Sequence, residues 1–373
     1  AHAMQGDVDG MIRQYRALLA MDSANVQAIQ TIAVGFRGKR QYDSALVYYG
    51  KLADLQPSDV QTRIDIAATR TSLLEFDAAR EELERARTVA PDDPNVLGQL
   101  ARLDMRQGAY DDAARRLQEM EGLARTPQQI DLIGGVRETY YYNTGQYVPL
   151  RAAYLERLTA ITESSAPIQA VQQVINSEAL TFAADWGQEA FALRQVDSLR
   201  ASVSPPWSYV LEVPAVQIHL DRGDVESART SLEGLQALNE AFGEAPGRTA
   251  RNTWVEGRIA WEEDGDCERG LERFRSALEL SEGNLTYLAW KAACLTELGS
   301  WEEAEEDMAY LLERLPGDPK IQLVAARLYA GQGRTEDAVV ALEVALAVWA
   351  EADAEFRPAA EARELLEELQ AAG

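Results

Sequence analysis

Histidine is the side chain that most often moves protons near neutral pH, and this chain has two, His2 and His219. His219 lies in AVQIHLDRGD, a helical pattern that ends at a glycine. With no partner nearby to orient it as a base, a structural or solvent-facing role is expected. Cys267 and Cys294 are the only cysteines, which excludes a disulfide framework and a four-thiolate zinc site. Both read as ordinary buried small residues; stacked consecutive units would bring them together, but a bond between them is the less favoured reading. Asp264, Asp266 and Glu268 alternate as calcium ligands do, yet the twelve-residue loop and its closing Glu are missing, so a solvated turn is expected. No phosphate-cradling glycine loop with a following Lys, no HExxH, no CxxC and no GxSxG occurs. No catalytic, cofactor-binding or metal-binding residue is expected, and the chain reads as non-enzymatic.

Aromatic clusters are the remaining candidates. Residues Arg137 to Tyr147 read RETYYYNTGQY, with four tyrosines. Successive helix residues point about 100° apart, so three in a row cannot share one face. Tyr141 and Tyr147 take packing places, which leaves Tyr142 and Asn143 toward an inner surface, where a phenol offers apolar area and a hydrogen bond. Of the seven tryptophans, Trp261 and Trp301 fall at packing positions and Trp290 one face away, as the better binding candidate.

The elements that hold these residues follow from bulk properties and periodicity. At 373 residues with 46% hydrophobic content, the chain must form several domains or an array that grows by adding units. A net charge of −25, with Lys39, Lys51, Lys291 and Lys320 the only lysines, opposes nucleic acid and anionic membrane surfaces as partners. An acidic, lysine-poor surface suits a halophilic bacterium, and a high-GC codon bias gives part of the same picture. No apolar run approaches a membrane span, and the first residues carry no export signal. A soluble protein is expected, with the cytoplasm favoured over the periplasm.

Self-similarity appears at 34 residues. Ala33, Ala67 and Ala101 are so spaced, as are Tyr42, Phe76 and Tyr110, Ala45, Ala79 and Ala113, and Pro57 and Pro91. The spacing returns in Gly265, Gly299 and Gly333. Each unit reads as two amphipathic helices: Ile29, Ile32, Ala33 and Phe36, a break at Gly38 to Gln41, then Tyr42, Ala45, Leu46, Tyr49 and Leu52. Small residues let paired helices approach, and aromatic ones fill the space between pairs. Between these regions the turn-like positions Gly145, Asp185, Gly223 and Gly265 stand 40, 38 and 42 residues apart, as though the hairpins were lengthened.

In spacing and residue type the chain resembles the tetratricopeptide repeat, most closely in LTYLAWKAACLTELGSWEEAEEDMAYLLERLPGDP from Leu285. The resemblance implies an all-α, right-handed α-solenoid of about nine helix hairpins with a C-terminal capping helix. The expected divisions are a partial repeat at 1–25, which looks like a fragment boundary, and units of period 34 at 26–127. Lengthened units at 128–250, period-34 units at 251–350 and a capping helix at 351–373 follow. The segment from Val348 also resembles the end of repeat arrays attached to bacterial serine/threonine kinases.

In such a superhelix the first helix of each hairpin lines the concave surface. Projecting the register puts Gln27, Gln30 and Val34, then Gln61, Ile64 and Ala68, then Asn95, Gly98, Gln99, Arg102 and Arg106 on that face. Later units contribute Gln217, Tyr142, Asn143 and Trp290. Asn and Gln can hydrogen-bond an extended peptide backbone, and Arg102 and Arg106 can pair with a carboxylate. The expected function is an interaction scaffold that binds a protein or peptide in its groove, without cofactor. The alternatives are a sensory or docking region of a larger bacterial signalling protein, such as a kinase, and a self-assembling module that forms a homo-oligomer.

Overall fold

A computed structural model describes residues 8–265 and 267–372. His2, Gly6 and Asp266 lie outside them, and with Asp266 the reading of the acidic turn at 264–268. The described residues form an all-α solenoid of consecutive antiparallel hairpins, with no strand among them. A lone helix α1 (Val8–Met21) precedes three hairpins: α2 (Val26–Gly38) with α3 (Tyr42–Leu55), α4 (Val60–Ser72) with α5 (Phe76–Val89), and α6 (Pro94–Arg106) with α7 (Tyr110–Glu121). Next come α8 (Pro127–Asn143) with α9 (Tyr147–Ser164), and then the short α10 (Pro167–Val174) and α11 (Glu178–Thr181) with α12 (Glu189–Arg200). Hairpins α13 (Glu212–Asp221) with α14 (Val225–Phe242) and α15 (Pro246–Asp264) with α16 (Cys267–Leu280) follow. The last are α17 (Leu285–Glu297) with α18 (Trp301–Arg314) and α19 (Pro319–Gly331) with α20 (Thr335–Val348), before α21 (Arg357–Ala372).

The helices begin where the sequence supplies caps. Side-chain oxygens of Asn25 and Asp59 accept the backbone N–H of Ala28 and Thr62, and Asp93 accepts that of Asn95. Asn284 and Asp318 repeat the device before α17 and α19. Such a cap contributes about 1 kcal/mol by satisfying an orphan N–H of the first turn. Hairpin turns are closed by a residue at positive φ: Arg40, Leu74 and Gly108, then Gly145, Gly187 and Gly223, then Gly265, Gly299 and Gly333. In the middle hairpins this corrects the sequence reading, because the turn residue is Gly187 and Asp185 sits just before it in a 3-10 turn (Ala183–Trp186).

By backbone contacts the chain divides into two compact units. The first runs to Asp104 and takes in Arg115–Leu123; the second comprises Met105–Ala114 and the chain from Ala124 on. In the first unit Ala33, Ala45, Ala67 and Ala79 are fully or almost fully buried at the helix crossings, with Ile29, Ile32, Tyr49 and Leu83 around them. Asp104 is completely buried there but paired, accepting from Arg116 at 2.6 Å and from Arg80 at 2.5 Å. An unpaired charge so placed would be strongly destabilising.

The second unit has one continuous apolar core from Tyr147 to Ala362. Trp301 packs where Gly331 leaves room for its ring, and Trp261 meets Phe274 at 6.2 Å, both in packing roles. Cys267 and Cys294 form a disulfide. This corrects the expectation of separate thiols: the first residue of α16 and the third turn of α17 bring their Cα atoms to 5.6 Å, within bonding range. Among the described residues no helix is long and apolar enough to cross a membrane.

Candidate partner-binding surfaces

In the first unit, α2, α4 and α6 repeat one exposed stripe. Gln27, Gln61 and Asn95 are exposed at intervals of 34, and so are Val34, Ala68 and Arg102 one heptad later. Gln30 and Gln99 are exposed beside them. The opposite side of each helix carries the core, so burial there fixes which residues turn outward. Ile64 and Gly98 depart from the projected face: both are buried, Ile64 in the apolar core with Ala67 and Leu83. The stripe is amide-rich, with apolar Val34 and Ala68 along it.

The second unit arranges its inner residues differently. Tyr142 and Asn143 were expected on an open inner surface, and the structure corrects this. The Tyr142 ring stacks on Phe182 at 4.5 Å, with the Lys320 ammonium 4.7 Å from its centre. Burial pushes the Tyr142 phenol well above its ordinary range, against the pull of Lys320. Lys320 in turn pairs with Asp185 at 2.5 Å. The Asn143 carbonyl accepts the indole N–H of Trp349 at 2.9 Å. Two residues on, the Gly145 carbonyl accepts both the Trp186 indole N–H at 3.1 Å and the Asp353 backbone N–H at 2.9 Å. Asp353 answers by accepting the Tyr147 N–H at 2.6 Å. The α8–α9 turn is therefore covered by the segment between α20 and α21. Gly145 has φ +75°, and an added Cβ would lie 2.6 Å from Phe356, so the contact requires glycine.

Trp290 is also engaged. The Arg258 guanidinium lies 3.5 Å above its ring, and Trp261 meets its edge at 5.7 Å. Arg258 is 1% exposed and pairs with Asp221 at 3.3 Å and Glu262 at 3.2 Å. Asp221 accepts Gln217 at 2.6 Å, and burial pushes its carboxyl above the usual carboxylate range although Arg258 opposes this. Gln217, projected as a groove residue, is buried in this network. Arg106 falls in the second unit and is half-buried; its carbonyl accepts the Gly317 N–H at 2.9 Å. Tyr141 is partly buried and Tyr147 buried, both in the core. His219 is held below its ordinary pKa by burial, with Asp224 3.8 Å away.

Sequence reasoning missed the Arg258–Asp221 and Lys320–Asp185 pairs. Their partners come from different hairpins at separations that match no repeat period, 37 and 135 residues.

Residues 75–132, from the start of α5 into α8, match the family model of the tetratricopeptide repeat. No curated protein matches the chain. Among solved structures it is similar to the P58(IPK) TPR domain at 15% identity, covering 93% of this chain and 98% of that one, with a TM-score of 0.31. It is similar to yeast Tom70 at 14% identity, covering 93% and 96%, with a TM-score of 0.39. An IFIT1 monomeric mutant with Gppp-AAAA is similar at 14% identity over 97% of this chain and 86% of that one, with a TM-score of 0.47.

Proposed function

We propose that the protein is a non-enzymatic interaction scaffold that holds an extended peptide or protein segment along the stripe on α2, α4 and α6. The observation that carries this reading is the 34-residue recurrence of exposed Gln27, Gln61 and Asn95, with Val34, Ala68 and Arg102 a heptad further on. Side-chain amides donate and accept, so equally spaced amides suit a peptide backbone whatever its side chains. Val34 and Ala68 add apolar contact between them. The net charge of −25 weighs against a nucleic-acid partner. An oxidising compartment belongs to the proposal in place of the cytoplasm favoured by the sequence reading, since disulfides such as Cys267–Cys294 persist there.

A displayed peptide library panned against the protein tests the reading. Peptides selected on the wild type are expected to lose about tenfold or more in affinity for the triple variant Gln27→Ala, Gln61→Ala, Asn95→Ala. The control Val47→Ala, on the outward side of α3, should leave affinity unchanged. Selected peptides that bind the triple variant as tightly as the wild type would refute the stripe as the site.

A further inference from the structure

Helix α4 turns a second polar side away from the stripe. Its stripe residues Gln61 and Ala68 share one direction, and Arg63, Ile66 and Arg70 point about 140–200° away from them at about 100° per residue. On that side α3, α4 and α5 line an open pocket of about 470 Å³, within the range that holds small ligands. Its charged lining consists of Arg63, Arg70 and Arg85 against Asp54 and Glu82. Ile66 and Leu46 supply an apolar wall.

The three guanidiniums are not equivalent. Glu82 is nearly buried and accepts from Arg63 at 3.0 Å and from Arg85 at 2.5 Å, so it ties α4 to α5 as a fixed floor. Arg85 is half-exposed, and its other partner is the exposed Glu81 at 2.5 Å. Arg70 holds Glu75 with one Nη at 2.6 Å, while its Nε is buried without a hydrogen bond. Pairs as exposed as Arg85–Glu81 and Arg70–Glu75 are weak and exchange readily.

We infer that this pocket binds an anionic group, a carboxylate or phosphate on a short apolar stem, through Arg70 and Arg85 with the stem against Ile66. Guanidinium forks match both anions. The group is carried either by a free small molecule or by an acidic side chain of a bound peptide. The site is separate from the α2–α4–α6 stripe.

Two probes are titrated calorimetrically at low salt: phenyl phosphate, and a blocked dipeptide of leucine and aspartate. Saturable one-to-one binding of either is expected, weakened about tenfold or more by Arg70→Gln with Arg85→Gln and unaltered by Gln61→Ala. The tighter probe identifies the source of the anion. On the wild type alone, the Ile66 methyl resonances should shift with the same saturation curve. Failure of both probes to saturate at about 10 mM, or undiminished binding to the double variant, overturns the inference, and neither result bears on the amide stripe.

Discussion

The two units build inner faces from the same helix pair and end with opposite surfaces. In the first, side-chain bonds join neighbours in sequence, such as Arg37 with Asp65 across adjacent hairpins, and the first helices keep an exposed amide stripe. In the second, groups more than 200 residues apart meet: Trp349 with Asn143, Tyr147 with Asp353, Tyr110 with Gly317. The difference lies in what distant hairpins do when they come within reach, and not in the hairpin itself. An inner face that receives its own chain becomes a core and stops being a groove.

The sharpest way to break this comparison is Trp186→Ala. The side chain is nearly buried, packs on Phe356 with ring centres 4.7 Å apart and donates to Gly145. Its loss should cost about 3–5 kcal/mol. Hydrogen exchange should quicken at the α8–α9 turn and between α20 and α21, with α2 to α5 unchanged; equal loss across both units would end the distinction. Second comes the disulfide, which spans 27 residues. Cys267→Ser with Cys294→Ser should lower stability by about 3 kcal/mol, read as a lower urea midpoint with a somewhat steeper slope, because the unlinked denatured chain exposes more surface. A midpoint identical with and without reductant would contradict it. The smallest effect belongs to the first unit, where Leu74 holds a turn at φ 65° while every corresponding position from Gly108 on is glycine. Leu74→Gly should stabilise by about 0.5 kcal/mol, since relief of left-handed strain slightly exceeds the entropy cost of glycine. A destabilised α4–α5 hairpin would show that Leu74 is held by packing.

What could be read from sequence was whatever repeats. The alanines at 33, 67 and 101, the aromatic places and the solenoid class follow from one period, because each unit must bury the same face against its neighbour. The caps Asn25, Asp59 and Asp93 carry that period too, yet hide among ordinary loop residues until their N–H partners are seen. The Gly187 turn was missed because the first helix of its hairpin is broken into α10, α11 and a 3-10 turn, which erases the register. Closure of the second unit was invisible for another reason: nothing at Asn143 or Gly145 marks a partner some 206 residues away. At the candidate sites, the exposed amides were legible from helix phase alone. The pairing of Trp290 with Arg258 needed coordinates.

The Gly145 carbonyl and its two donors also set a schedule. A ribosome delivers Tyr147 206 residues before Asp353, on the order of ten to forty seconds at 5–20 residues per second. Once made, Trp186 has no Phe356 to cover it until that interval ends, and the nascent unit presents an aromatic ring to whatever is near. Arrival of the segment between α20 and α21 ends this exposure, so a chain released just before Phe356 would stay in the state that synthesis passes through only briefly.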